Sequence, residues 1–316
     1  MKPILLTALL MIGMALNILQ AETLADKVRF ASTEQAKKLL TQEDEFTKSW
    51  SPFDIDSRMQ KKNSTRQELF DFIAEQARNW TNDETEKLQS IFQSIDEQIA
   101  EQGFAIPFPN EIFFVKTTTK EEGGAGGYTR ANYVVLKEDI LSRPTEDLTR
   151  TVIHELFHVL SRNNPEFRKA LYEIIGFKLM NSVDYPDSLS TFRITNPDAP
   201  QTDSYITLTV NEKPVDCMMI LYSNREYNGG AFFEYLNIGF LQLTGDRNKT
   251  ALMVGEKPVI YTLKQVANFF EQIGGNTKYI IHPEEIMADN FTLAILNRME
   301  LPDQHIVEQI KMQLKK

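Results

Sequence analysis

The chain has 316 residues, of which 42% are hydrophobic and 25% charged, an ordinary globular balance with enough length for one compact unit and a subdomain. A formal net charge of −10 disfavours nucleic acid as a partner, because that binding is driven by neutralising phosphates. The single cysteine, Cys217, excludes an intrachain disulfide. Inside the β-prone run Val215-Asp-Cys-Met-Met-Ile-Leu221 it reads as a buried, inert thiol.

At the amino terminus Lys2 precedes an apolar run over residues 3–19, followed by Gln20-Ala21-Glu22. This predicts a signal peptide over 1–21, cleaved after Ala21. Leu19 is larger than ideal at the −3 position, so an uncleaved anchor is the alternative. No other stretch approaches 18 consecutive apolar residues, which predicts no stable membrane insertion after cleavage. Export without disulfides suits a periplasmic or secreted bacterial protein.

Residues 22–105 read as an N-terminal helical region. Ser64-Thr-Arg-Gln67 and Thr81-Asn-Asp-Glu84 are capping-box patterns. The second opens a helix with Leu88, Ile91, Phe92, Ile95 and Ile99 on one face, ended by Gly103. Residues 106–180 read as a catalytic sheet and its helix, with Ile112-Phe-Phe-Val115 and Tyr133-Val-Val-Leu136 as strands. Between them, Gly123-Gly-Ala-Gly-Gly127 is followed by no helix, so it is a hairpin loop or flap rather than a phosphate loop.

The chemistry sits in Thr151-Val-Ile-His-Glu-Leu-Phe-His158, an H-E-x-x-H pattern. Helical residues advance by about 100°, so His154 and His158 stack about 40° apart on one face and can grip one Zn²⁺. Glu155 lies beside them, where it can act as the general base on a water that the metal activates. Pro144 and Thr145 open this helix, Glu146 and Asp147 complement its dipole, and Asn163-Asn164-Pro165 closes it. Val152, Ile153, Leu156, Phe157, Val159 and Leu160 form its apolar arc, leaving the histidines to face a cleft.

A third ligand must come from elsewhere. The metzincin extension would place a further His after His158, but the chain continues Val-Leu-Ser-Arg-Asn-Asn and excludes it. Only His282 and His305 remain, and His305 near the polar end reads as exposed. In His282-Pro-Glu-Glu-Ile-Met-Ala-Asp-Asn-Phe291, Pro283 fits a first helical position, while Glu285 and Asp289 share one face. Here the chain resembles the gluzincins, the thermolysin-like metallopeptidase class. These follow H-E-x-x-H with a second helix bearing a ligand Glu and, four residues later, an Asp. The resemblance implies His154, His158 and Glu285 as zinc ligands, Glu155 as general base, and Asp289 orienting a ligand histidine, His154 first. Glu284 and His282 are the competitors for the third place. The second helix lies much farther along the chain than in thermolysin, leaving room for an inserted subdomain.

Lys116-Thr-Thr, Glu122-Gly-Gly, Tyr128-Thr-Arg, residues 154–162 and Thr195-Asn-Pro-Asp-Ala-Pro200 together resemble a group of poorly characterised exported bacterial proteins of this type, over most of residues 50–295. In gluzincins the strand before the motif helix pairs with the substrate backbone. The resemblance puts that edge at residues 128–133, the alternative being an internal strand. Residues 181–260 read as a β-rich insertion, with strands at Tyr205-Ile-Thr-Leu-Thr-Val210 and Met218-Met-Ile-Leu-Tyr222. Residues 261–316 read as a C-terminal helical region carrying the third ligand. The expected fold is α+β, a zincin-like unit of helices on a small twisted sheet. The expected function is a zinc metallopeptidase acting on peptide or protein substrates. Alternatives are a zinc hydrolase of a cell-wall peptide or small amide, or a silent binding protein. Tyr128, Arg193, Tyr205, Tyr227 and His282 are candidate donors to the developing oxyanion.

Overall fold

In the computed structural model, which describes residues 22–315, the chain folds as α+β. The expected leader lies outside the described residues. Three parallel strands, Val28–Phe30, Ile112–Thr117 and Tyr133–Lys137, form the first sheet, and Gly127–Arg130 closes one edge antiparallel to the last of them. Ala77–Arg78 pairs with the far end of Ile112–Thr117. Side chains alternate between two cores: Phe114, Val134 and Leu136 enter the larger, while Val115, Tyr133 and Val135 enter the smaller. Burial on both faces is why these strands read as unbroken apolar runs.

The edge strand is shorter than the sequence suggested. Residues 128–133 are not one extended piece: pairing of Arg130 with Tyr133 makes a tight hairpin, and Ala131 turns it at φ 44°. A left-handed residue at that place matches the twist of the flanking strands.

Helix Thr145–Asn163 packs across the first sheet, with Pro144 and Asn164 at its caps. Its apolar arc is buried in the larger core. Helix Pro283–Ile295 lies against it, joined by Phe157 and Phe291, whose rings are 5.3 Å apart. Because almost every residue of the second helix is buried, the acidic group at its start is held out of water. Helix Asn82–Gln102 carries the Thr81–Glu84 capping box and ends at Gly103, left-handed at φ 66°. Helix Arg66–Glu75 starts one residue later than the Ser64 pattern implied: Thr65 and Glu68 form the box, because the Ser64 hydroxyl donates instead to the Lys61 carbonyl.

The second sheet is antiparallel: Phe177–Leu179, Ser204–Val210, Lys213–Tyr222 and Asn237–Thr244 in order, with Thr250–Ala251 and Ile260–Tyr261 on the last strand. One face, with Ile206, Leu208, Cys217, Met219 and Phe240, completes the larger core. Met218, Ile220 and Leu241 build a separate cluster on the other. Cys217 is buried, and burial pushes its thiol up to about 12, so it is inert at neutral pH. No helix among the described residues is long and apolar enough to cross a membrane.

Arg58, in helix Pro52–Met59, ties the two halves together. It donates to Asp54 at 2.6 Å, to Glu122 at 3.1 Å and to the Thr195 carbonyl at 2.9 Å. Burial works against its charge, but Glu122 and Asp54 outweigh that and hold the guanidinium protonated. Removing one partner of a buried ionic group leaves the others uncompensated. Arg58→Ala should therefore lower the unfolding free energy by about 3–5 kcal/mol, read from urea denaturation of the purified chain.

Candidate metal centre

His154 and His158 project from one side of helix Thr145–Asn163, with ring centroids 4.9 Å apart. Their Nε2 atoms converge on one oxygen: Glu285 Oε2 lies 3.1 Å from that of His154 and 3.5 Å from that of His158. Each imidazole is held from behind. Asp289 Oδ1 is 2.9 Å from His154 Nδ1, and Glu284 Oε1 is 3.2 Å from His158 Nδ1. A proton kept on Nδ1 by a carboxylate leaves the Nε2 lone pair facing the centre. His158 Nε2 is buried without a hydrogen-bond partner, a costly state for a polar atom unless something else satisfies it. One ligand atom each from His154, His158 and Glu285 lie within 4.8 Å of one another. Two imidazole nitrogens and a carboxylate oxygen, each braced from outside, fit a zinc ion that keeps an open position.

The bracing extends outward. Asn196 Nδ2 donates to Glu285 Oε1 at 2.5 Å, Thr277 donates to Asp289, and Ser161 and Tyr172 both donate to Glu284 Oε2. Glu284, one of the two competitors for the third ligand, thus braces His158 from behind. His158 sits one turn beyond His154, so its Nδ1 meets the next position around the second helix. The other competitor, His282, caps that helix, its Nδ1 accepting from the Glu284 amide at 3.1 Å. Burial depresses His282 to about 4. His305 is exposed.

Glu155 is buried beside the histidines. The Thr129 hydroxyl donates to its Oε2 at 2.8 Å. Gly127 makes room for it, since a Cβ there would come 3.0 Å from Glu155 Oε1 and from the Val135 carbonyl. Burial raises the proton affinity of Glu155 against the pull of both imidazoles. Burial pulls His154 down, but hydrogen bonds to Asp289 and Glu285 more than reverse it, to about 10. Burial pushes Glu285 up, yet the imidazoles hold it well below the usual carboxylate range.

Two functional candidates were not singled out from sequence. Asp198 accepts the Thr129 amide at 2.5 Å, and its carboxylate groups with Glu155 and His158 within 4.8 Å. Burial, opposed by His158, pushes it well above its usual range. Tyr279, 44% exposed, places its ring centroid 6.1 Å from that of His154. It lines the same cavity as Gly127 and Asp198. Of the donors considered from sequence, Tyr128 donates to Glu121, Tyr227 to the Gly230 carbonyl and Arg193 to the Pro200 carbonyl, while the Tyr205 ring packs against Lys249.

Compared with protein-family models, curated proteins and solved structures, the chain matches none.

Glu284→Ala strands the His158 Nδ1 and the Tyr172 hydroxyl in a buried place. It should cost about 1–3 kcal/mol of stability in metal-free protein, and Glu284→Gln, which still accepts, should cost less. Urea denaturation of the two variants checks the order.

Proposed function

We propose that this chain is a zinc metallopeptidase, with His154, His158 and Glu285 holding the ion. The observation that carries the reading is the convergence of both Nε2 atoms and Glu285 Oε2, with each Nδ1 braced by a carboxylate. The resemblance to gluzincins supports the same ligand set and the same order of elements, and with it a zincin-like catalytic unit. A zinc ion there would polarise a carbonyl and acidify a water.

The residues around it have separable tasks. Glu155 takes a proton from the attacking water and returns it to the leaving amine, a role suited to a carboxylate whose burial favours the protonated form. Thr129 fixes that carboxylate. Asn196, Asp289 and Glu284 keep the ligands in place. Tyr279 donates to the carbonyl oxygen as it gains charge.

Peptides are favoured over small amides by the edge strand. Gly126 accepts from the Lys137 amide, so in the antiparallel ladder Tyr128 and Arg130 face their partner while Gly127 and Thr129 face outward. Gly127 thereby offers main-chain groups to an extended substrate next to Glu155. Glu155 itself speaks against a silent binding protein, since metal binding alone would not require it. The leader expected over 1–21 assigns the work to the periplasm or the medium.

Purified protein should carry about one zinc per chain, lost in His154→Ala and in His158→Ala. Elemental analysis of native and zinc-reconstituted samples checks this. Glu155→Gln should keep zinc and fold while losing nearly all peptide hydrolysis, and undiminished activity would refute its role as base. Tyr279→Phe should lower kcat by about 10²–10³-fold with KM little changed, measured on the same peptide.

A further inference from the structure

Residues 195–200 cross the outward edge of strand Gly127–Arg130. Arg162, near the end of the motif helix, donates to the carbonyls of Ala131, Pro197 and Asp198, and Asp198 takes the Thr129 amide. An extended chain pairing with Gly127 therefore cannot continue past Thr129. The groove has a closed end, and Asp198 stands at it.

Asp198 has no cationic partner within ion-pair distance among the described residues. The nearby Arg58 is spent on Asp54 and Glu122. Asp198 lines a cavity of about 60 Å³ with the Arg58–Glu122 pair on one wall and an apolar wall of Ile194, Leu221, Phe232 and Ile281, space for a small aliphatic group against that apolar wall. Its carboxylate lies within 4.8 Å of the ligand atoms of Glu155 and His158. In an amino-terminal residue the ammonium group is one carbon from the carbonyl, so a carbonyl at the centre brings that ammonium within reach of Asp198.

Resting on the hydrolase reading above, we propose that this site removes single residues from peptides with a free amino terminus. Asp198 holds the α-ammonium, and the apolar wall of that cavity takes a small aliphatic first side chain. Water adds across the first peptide bond: its oxygen bonds to the carbonyl carbon, the C–N bond breaks, and Glu155 passes the proton to the leaving amine. The products are one amino acid and a peptide shortened by one residue. An endopeptidase would need the edge to run on past Thr129, where residues 195–200 lie.

The test uses the zinc-reconstituted full chain and two probes, valine hydroxamate and its N-acetyl form. Wild type should bind the free-amine probe at least about tenfold more tightly, the effect of one charge-assisted hydrogen bond. Asp198→Asn, which can still accept from Thr129, should lose that preference while keeping its fold by circular dichroism and its zinc affinity. Digestion of a Val-initiated peptide should release valine first, and its N-acetylated form should resist. Equal binding of both probes, a preference that survives in Asp198→Asn, or internal cleavage of the acetylated peptide would overturn the proposal. A marked loss of zinc affinity in Asp198→Asn would make Asp198 a metal ligand and overturn it too. Wild-type protein that takes up no zinc would remove the hydrolase reading as well, and zinc content separates that failure from the others.

Discussion

His158, Glu284 and Glu285 are buried, and His154 and Asp289 half-buried, where helix Thr145–Asn163 meets helix Pro283–Ile295, and the rest of the molecule is arranged around keeping them satisfied. Taking ionised groups out of water costs several kcal/mol each unless geometry and further hydrogen bonds offset it. Here every carboxylate of the second helix has a donor besides a histidine: Asn196 for Glu285, Ser161 and Tyr172 for Glu284, and Thr277 for Asp289. His158 Nε2 alone lacks a hydrogen-bond partner among these groups. Stability would be better served by apolar side chains at such a contact, so its retention points to function.

The supporting donors come from distant parts of the chain, which explains why the β-rich segment belongs to the same unit as the motif helix. Its sheet completes the larger core through Cys217, Met219 and Phe240, and the loop between its first two strands delivers Asn196 and Asp198. Two arginines, Arg58 buried and Arg162 half-buried, hold that loop. Arg58 fastens it at Thr195 and Arg162 at Pro197 and Asp198. Rigid support of this kind fixes the orientation of the polar groups at the centre.

Much of this was legible in the sequence wherever the signal was local. The motif helix ran between its Pro144 and Asn164 caps because breakers and periodicity agree there. Glu285 and Asp289 could be paired because positions four apart share a face. Glu284 was harder, since a residue adjacent to Glu285 points elsewhere on its own helix, and only the stagger of His158 on the facing helix gives it a partner. Nothing local marks Asn196, Asp198 or Tyr279 as site residues, because loops carry no periodicity and their contacts span large sequence separations. The hairpin at Ala131 escaped for a related reason: alanine is not a turn signal, and the left-handed backbone there is imposed by strand pairing.

Zinc K-edge X-ray absorption on the zinc-reconstituted chain addresses the centre most directly. Two imidazoles with nitrogens at about 2.0–2.1 Å and a carboxylate oxygen at about 2.0–2.2 Å from the metal are predicted. A first shell without two imidazoles, or one containing sulfur, would contradict the assignment of His154, His158 and Glu285 as the ligands.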